Sequence, residues 1–239
     1  MASLRRFFAD RVENDRVEFS GGEARHIFRV LRKRKGDKLL AVFGGMEYVC
    51  EIISSEEDHV SALIQESNPC SSDPLRKITL YMACCKTDKM ELVAQKSAEL
   101  GVSAFVPFVS KRCSRIPSDA DKFKNRVERI AYEAMKQCGR SDVLEVEKPI
   151  GFDELLRRLE DCKTVIFAYE ESTGSLREAL QNASEEIALI IGCEGGFEPS
   201  EAEKIIAAGG VSVSLGRRIL RAETAAISLM SLVNYETGN

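Results

Sequence analysis

The first third of the chain alternates short apolar runs with polar turns, a pattern typical of β-strands. The segment DKLLAVFGGMEYVCEIISSEEDHVSALIQES holds three such runs, separated by GG, which suits a tight hairpin, and by SSEED, which suits a longer loop. Before it, GGEARHIFRVLR places Ile27, Val30 and Leu31 on one side of a helix. Residues 1–73 are therefore expected to form a small β-barrel that carries one helix.

The rest of the chain alternates apolar strands with helices. After NPCSSDPL, a polar stretch with two prolines that is typical of a linker, the segments KITLYMACC, VSAFVPFVS, KTVIFAY, EIALIIG and VSVSLG predict strands. Two of the helices between them have start signals: Ser118 is the expected N-cap of one, and Ser200 with Glu203 forms the expected capping box of the other. Residues 74–239 should form an α/β domain with a mostly parallel sheet covered on both faces.

Composition limits the function classes. No window of about 18 consecutive apolar residues and no apolar N-terminal segment is present, so we expect a cytoplasmic protein without a membrane span. The eight cysteines form no C-x-x-C pair and only two histidines occur, so no metal site is expected and the thiols should be reduced.

Charge is unevenly distributed along the chain. The net charge is −4, but RHIFRVLRKRKGDK, from Arg25 to Lys38, carries seven basic residues and one acid. Such a stripe could form a phosphate-binding face on an otherwise acidic protein, and it could equally be a solvated helix end.

The loop in IALIIGCEGGFEPSE follows a predicted strand and precedes a predicted helix. It lacks the G-x-G-x-x-G spacing of a dinucleotide site, and no P-loop occurs, so a dinucleotide oxidoreductase is disfavoured. Glu194 would also repel a phosphate at the start of a helix. The loop is expected to bind a neutral or cationic ligand, unless it is only a tight turn with a solvated glutamate.

A second unusual loop, LGRRILRAETA, precedes the last helix. Ile219 and Leu220 are apolar where a polar loop is expected, which suggests that they close over an apolar ligand surface. The helix dipole does not explain the arginines at 217, 218 and 221, because it disfavours cations at a helix start. Glu223, in contrast, could act there only as a helix-start carboxylate.

The segments KTDKMELVAQKSAELGV, EAMKQCGR, LIIGCEGGFEPSE and LGRRILRAETA together resemble the ribosomal RNA small subunit methyltransferase E family, which belongs to the SPOUT class of S-adenosylmethionine-dependent enzymes. RRFFA and HIFRVLR are similar to that family's PUA-like RNA-binding domain. One position departs from the family pattern I-G-P-E-G-G-F, because Cys193 stands where the proline falls. We expect this to loosen the loop. We do not expect Cys193 to be a nucleophile, since nothing nearby in the sequence would activate it.

The resemblance implies a fold and a reaction. The fold would be a PUA-like β-barrel domain, residues 1–73, followed by a SPOUT domain, residues 74–239, whose parallel sheet ends in a C-terminal trefoil knot. The chain would act as a homodimer with the cofactor site near the subunit interface. It would methylate N3 of one uridine in 16S rRNA of the small ribosomal subunit, with no DNA or membrane partner.

The resemblance also implies site residues. Leu215, Ile219 and Leu220 would sandwich the adenine of S-adenosylmethionine, and Glu194 would be compatible with its sulfonium. Arg221 is the candidate for stabilising negative charge on the uracil, and Glu223 is a candidate base. The full set of cofactor residues is expected to be Ala168, Tyr169, Glu170, Ile191, Gly192, Glu194, Gly195, Gly196, Leu215, Gly216, Ile219, Leu220 and Thr224.

RNA contacts are expected from basic residues of both domains. His26 could contact RNA or serve only the structure of its helix. Two alternatives stay open, namely the same chemistry on another RNA, and a non-catalytic RNA-binding or ribosome-assembly protein. The expected contacts are Arg5, Arg6, Arg25, His26, Arg29, Arg32, Lys86, Lys89, Arg112 and Arg140.

Overall fold

The structure of the protein is a computed structural model, and it describes residues 4–239. Its secondary structure follows the apolar periodicity of the sequence. The chain divides into two compact units. One comprises the described residues up to Asp73 together with Met135–Asp142, and the other comprises Pro74–Ala134 and Val143–Asn239. Among the described residues no helix is long and apolar enough to span a bilayer.

The first unit is built on one sheet of six strands in the order β1-β4-β5-β6-β3-β2. All neighbours are antiparallel except β1 and β4, which are parallel. Period-two alternation puts Phe7, Phe19 and Leu39 on the buried face of the sheet. The strands are β1 (Arg6–Phe8), β2 (Arg11–Glu13), β3 (Arg16–Ser20), β4 (Lys38–Phe43), β5 (Met46–Ser55) and β6 (His59–Pro69).

The predicted helix of this unit is present but is not uniform. It begins as the one-turn helix α1 (Gly21–Arg25) and continues as a π-helical turn, His26–Val30. Ile27 packs into the sheet and is fully buried, as its helical spacing predicts. The segment ends at Arg32, whose φ of 54° cannot continue a right-handed helix.

The second unit contains a seven-stranded sheet in which every pair of neighbouring strands is parallel. Its order is β10-β8-β7-β12-β11-β13, and β9 also pairs with β8. The predicted parallel α/β sheet is therefore confirmed. The strands are β7 (Lys77–Ala83), β8 (Ala104–Val109), β9 (Glu145–Val146), β10 (Ile150–Gly151), β11 (Thr164–Ala168), β12 (Glu186–Ile191) and β13 (Gly210–Val213).

Helices connect these strands, as parallel pairing requires, except between β9 and β10, which both pair with β8 and are joined by a short loop. The apolar run from Ile187 to Ile191 in the central strand β12 is buried throughout, as expected for a strand covered on both faces. The remaining helices are α2 (Thr87–Glu99), α3 (Ala120–Cys138), α4 (Phe152–Glu160), α5 (Leu176–Ala179), α6 (Pro199–Ala207) and α7 (Ala222–Thr237).

Two helix starts differ from the predictions. At α3 the carboxylate of Asp119, not Ser118, accepts the backbone N–H of Lys122 at 2.9 Å. At α6 the box is formed two residues before the predicted Ser200, where Glu201 Oε2 accepts the backbone N–H of Glu198 at 3.0 Å. The reason is Pro199, whose fixed φ and missing N–H suit the first helical position, so that the cap must precede it.

Candidate active site

Three loops leave the carboxyl ends of β11, β12 and β13, which are neighbours in the sheet, and they enclose one cavity. Its volume of about 620 Å³ lies within the range of small-molecule sites. Because parallel strands all end at the same edge, such a crevice is where open α/β sheets bind ligands. The lining residues are Lys89, Ala168, Tyr169, Glu170, Ile191, Gly192, Cys193, Glu194, Gly195, Gly196, Phe197, Ser214, Leu215, Gly216, Arg217, Arg218, Ile219, Leu220, Arg221, Ala222 and Ala225.

The glycine loop, residues 192–196, is crowded at two of its glycines. A Cβ on Gly192 would lie 3.2 Å from the ring of Phe197. Gly196 has a φ of +68°, and a Cβ there would run into the carboxylate of Glu170. The glycines therefore let the loop fold tightly and present its backbone to the cavity.

The loop after β13 supplies the apolar part of the lining. Ile219 is 91% exposed, which is unusual for so large an apolar side chain. Leu215 and Leu220 are half-buried beside it, and Arg221 is the exposed N-cap residue of α7. This loop thus combines an uncovered apolar surface with three exposed cations, Arg217, Arg218 and Arg221.

Lys89, from the first turn of α2, joins the glycine loop to the start of α7. Its Nζ lies 3.4 Å from Glu194 Oε1 and 3.1 Å from Glu223 Oε2. Burial disfavours the ammonium, but the carboxylates of Glu223 and Glu194 outweigh it and raise the pKa of Lys89. Burial likewise opposes ionisation of Glu194, yet backbone hydrogen bonds and Lys89 lower its pKa. Lys89 and Glu194 are therefore charged at neutral pH.

These contacts change three predicted roles. Lys89 was expected to bind RNA, but its side chain is only 18% exposed and is held between two carboxylates. Glu223, a candidate base, faces Lys89 and does not line the cavity. Thr224, an expected cofactor residue, lies on the exposed side of the first turn of α7 and does not line the cavity either. The other twelve expected cofactor residues and Arg221 do line it.

Cys193 has neighbours that its sequence context did not reveal. Its Sγ lies 4.0 Å from the hydroxyl of Ser110, which in turn lies 3.2 Å from Cys113 Sγ. The neighbouring Cys113 lowers the pKa of the Cys193 thiol, although burial opposes the shift. The sequence around Cys193 contains no activating group, and the neighbours that its thiol does have come from the distant loop after β8.

Comparison with known proteins identifies the family. Residues 71–234 match the model of an RNA methyltransferase domain, and residues 19–65 match an RNA methyltransferase PUA domain. Ribosomal RNA small subunit methyltransferase E of Bacillus subtilis is 34% identical over 230 residues, which cover 91% of this chain and 89% of that protein. The chain belongs to the ribosomal RNA small subunit methyltransferase E family. The resemblance noted from the motifs is confirmed.

Solved structures similar to this family member contain the expected cofactor. A ribosomal RNA small subunit methyltransferase E from Neisseria gonorrhoeae, bound to S-adenosylmethionine, has a TM-score of 0.86 at 27% identity and covers 98% of each chain. A methyltransferase from Legionella pneumophila, solved with the same cofactor, has a TM-score of 0.87 at 29% identity and also covers 98% of each chain.

In this member of the family, several predicted RNA contacts of the first unit are engaged with acids. Arg25 Nε lies 2.8 Å from Asp58 Oδ1, and Arg29 pairs with Glu57. Both acids belong to the loop between β5 and β6, so they face the basic stripe and partly neutralise it. The sequence could not show this, since the acids lie about 30 positions further along the chain.

Two more predicted contacts of this unit have structural roles. Arg6 is half-buried and forms an ion pair with Glu47. The ring of His26 packs edge-on against Phe7, with ring centroids 5.7 Å apart. Arg5 and Arg32 are exposed.

The structure contradicts the predicted RNA contact of Arg140. Only 1% of it is exposed, and its Nε and Nη2 each lie 2.7 Å from an oxygen of Asp142. A bidentate pair of this kind satisfies the guanidinium inside the protein and removes it from direct contact with RNA.

The remaining predicted contacts belong to the second unit. Lys86 is exposed at the start of α2. Arg112 is also exposed, but its Nη1 donates to the carbonyl oxygen of Gly195 at 2.9 Å. This hydrogen bond therefore stabilises the position of the glycine loop. Among the described residues, no group of three His, Cys, Asp or Glu side chains is placed to hold a metal ion.

Proposed function

We propose that this protein transfers a methyl group from S-adenosylmethionine to N3 of one uridine in 16S rRNA of the small ribosomal subunit. The observation that carries the proposal is the cavity formed by the three loops in a chain of this family. The names of its relatives support an RNA target in the small subunit, and the similar structures that contain S-adenosylmethionine support the cofactor.

The lining fits S-adenosylmethionine in its chemistry. Leu215, Ile219 and Leu220 offer apolar surface for an adenine, and the glycine loop offers backbone groups for its edge. Glu194 is balanced by Lys89, so the cavity presents both signs of charge. That suits a ligand with a carboxylate, an ammonium and a sulfonium better than the lone glutamate expected from the sequence. When bound, the cofactor supplies an electrophilic methyl group on its sulfonium.

The protein must also make uridine N3 nucleophilic, because at neutral pH this nitrogen carries a proton. Arg221 is exposed at the cavity rim, and its guanidinium would stabilise the negative charge that develops on a uracil oxygen when the proton leaves. Glu223 is assigned a positioning role, in which it orients Lys89. The main contribution to rate is then the placement of the base beside the methyl donor.

Further expectations from the family complete the proposal. The second unit would contain a C-terminal trefoil knot, and two copies would form a homodimer with the cofactor site near their interface. The first unit would bind rRNA, which its match to an RNA methyltransferase PUA domain supports. The protein would act in the cytoplasm.

The test is methyl transfer from labelled S-adenosylmethionine to purified small subunits, naked 16S rRNA, large subunits and transfer RNA, followed by mapping of the modified nucleotide. Label at N3 of one uridine in small subunits is the expected result. Label confined to another RNA would support the same chemistry on a different target. Calorimetry with the cofactor covers the remaining alternative, since no binding would favour a non-catalytic RNA-binding or assembly protein.

A further inference from the structure

Cys193 and Cys113 are two thiols that the proposed methyl transfer does not use. Cys193 belongs to the glycine loop after β12, and Cys113 to the loop after β8, on the other side of the central strand β7. Both sulfurs contact the hydroxyl of Ser110, Cys113 at 3.2 Å and Cys193 at 4.0 Å. The two sulfurs are therefore no more than about 7 Å apart. All eight cysteines of the chain are free thiols, so neither sulfur is already part of a disulfide.

The two thiols differ in character. The interaction between the two thiols lowers the pKa of Cys193 and raises the pKa of Cys113, which favours Cys193 as the member that ionises. A thiolate is the form that reacts with peroxides, and a neighbouring thiol is what converts the oxidised product to a disulfide. Ser110, which is 4% exposed, keeps both sulfurs close together.

A bond between these sulfurs would act on the cofactor cavity, because Cys193 is one of its lining residues. The loop that carries Cys113 is already attached to the segment after β12. Arg112 donates to the carbonyl oxygen of Gly195 at 2.9 Å, and the backbone N–H of Lys111 donates to Glu201 at 2.8 Å. A covalent link would draw the side chain of Cys193 toward this loop and displace the backbone of Glu194.

We propose that Cys193 and Cys113 form a peroxide-sensitive pair whose disulfide weakens cofactor binding at the glycine loop. The oxidation of Cys193 and Cys113 does not depend on the proposed function, whereas its effect on S-adenosylmethionine binding rests on the proposed function.

The reaction has two steps, with hydrogen peroxide as the oxidant. The Cys193 thiolate attacks one peroxide oxygen, the O–O bond breaks, hydroxide leaves, and Cys193 becomes a sulfenic acid. The Cys113 sulfur then attacks the Cys193 sulfur, the S–O bond breaks, and the thiol proton leaves with the hydroxyl group as water. Two electrons pass from the sulfurs to the peroxide, and a dithiol reductant reverses the change.

Cofactor and oxidant should compete for the same cavity, because Cys193 is only 5% exposed and lines it. A bound ligand would cover the route by which peroxide reaches the sulfur. Because a bound cofactor would cover this route, we expect saturating S-adenosylmethionine to slow the loss of the Cys193 thiol.

The experiment treats the reduced full-length protein with hydrogen peroxide, maps its peptides by mass spectrometry without reduction, and measures cofactor affinity by calorimetry. Cys113→Ser, outside the cavity lining, should keep the affinity of the reduced protein and form no cross-link. Cys162→Ser, another half-buried thiol outside the lining, is the matched control and should behave as wild type. We expect a Cys113–Cys193 peptide, an affinity about tenfold lower or weaker still, and recovery with dithiothreitol.

Three results would overturn the inference: an unmodified Cys193, a cross-link from Cys193 to Cys84 or Cys85 instead of Cys113, or a Cys113–Cys193 bond with unchanged affinity. If the reduced protein binds no cofactor, the proposed function fails. The peptide map still decides whether the pair oxidises. The two failures are thus separate.

Discussion

The ammonium of Lys89 lies 3.1 Å from the carboxylate of Glu223, a contact that joins the first turn of α2 to the first turn of α7. The same ammonium reaches Glu194 in the glycine loop at 3.4 Å. One cation therefore holds together two of the segments around the cofactor cavity. The side chains of Lys89 and Glu223 are 18% and 15% exposed, so water screens their attraction less than it screens a surface pair.

Replacing Lys89 by methionine should weaken cofactor binding. Loss of the ammonium leaves two carboxylates facing each other at the cavity, and their repulsion should move the glycine loop. We expect at least about a tenfold loss of affinity for S-adenosylmethionine, roughly 1.4 kcal/mol, measured by calorimetry. Lys89→Arg, which keeps the charge, should recover part of it. Lys96→Met, on the same helix and paired with Glu99, should bind as wild type. Equal affinity in wild type and Lys89→Met would contradict the role.

The contribution of the Lys89–Glu194 ion pair to the stability of the fold should be independent of pH over a wide range. Glu194 has a lowered pKa, so its contribution is complete above its ordinary value of about 4.3 and is lost as pH falls through the lowered value. Lys89 has a raised pKa, so its contribution is complete below about 10.4 and is lost as pH rises through the raised value. The difference in Tm between wild type and Lys89→Met should therefore stay constant from about pH 5 to 10. A change of that difference near neutrality would show that another group controls the pair.

Arg221→Ala should reduce turnover more than cofactor affinity. Its guanidinium is exposed at the cavity rim, where the target base rather than the apolar pocket wall would meet it. Loss of one group that stabilises developing charge typically costs about 100-fold in kcat, so we expect that order of loss with cofactor Kd changed only a few-fold. Single-turnover methylation of small subunits measures the loss of turnover, and calorimetry measures the cofactor Kd. Arg157→Ala, an exposed arginine of α4 outside the cavity, is the control. Unchanged turnover in Arg221→Ala would exclude the proposed role.

Removing the acids that face the basic stripe should strengthen RNA binding. Asp58 and Glu57 pair with Arg25 and Arg29, and RNA phosphates would have to replace them. We expect the double change Asp58→Asn with Glu57→Gln to bind 16S rRNA more tightly and with a steeper dependence on salt, since more cations are free to bind phosphates. Arg32→Ala should have the opposite effect. Filter binding across a salt series measures both, and a flat salt response in all three proteins would refute an electrostatic RNA face.

Much of the site could be predicted because it depends on strand ends. Ala168, Ile191 and Leu215 lie where apolar runs end, and parallel strands bring such ends to one edge of a sheet. The loops that share the cavity were therefore accessible from local pattern alone. The same holds for Ile219, whose exposure follows from an apolar residue in a polar loop.

What could not be predicted depends on contacts between distant parts of the chain. Lys89 was placed among the RNA contacts because nothing in its own helix indicates Glu194 or Glu223 as partners. Arg140 looked like a free cation at a helix end. Its partner Asp142 is only two residues away, but its burial depends on the rest of the fold. Nothing near Cys193 in the sequence indicates that the loop after β8 places Ser110 and Cys113 close to it. Charge and reactivity are properties of the folded neighbourhood, so sequence pattern identifies the residues but not their partners.

Gly196→Ala should separate the geometry of the glycine loop from ordinary backbone strain. Gly196 has a φ of +68°, and a Cβ there would run into the carboxylate of Glu170. Gly209 has a φ of +93° but nothing within 4 Å of the added Cβ, so Gly209→Ala is a matched control for strain alone. Both changes should lower the free energy of unfolding by about 1–2 kcal/mol, the cost of forcing an L-residue into a left-handed conformation.

Only Gly196→Ala should also weaken cofactor binding, because Glu170 and Gly196 both line the cavity and one of them must move. Denaturant melts measure the free energy of unfolding, and calorimetry measures the affinity for S-adenosylmethionine. Equal losses of affinity in the two variants would mean that general destabilisation, rather than the packing of Gly196 against Glu170, limits binding. A selective loss in Gly196→Ala would establish that this glycine is required because the carboxylate of Glu170 occupies the space that a side chain would need.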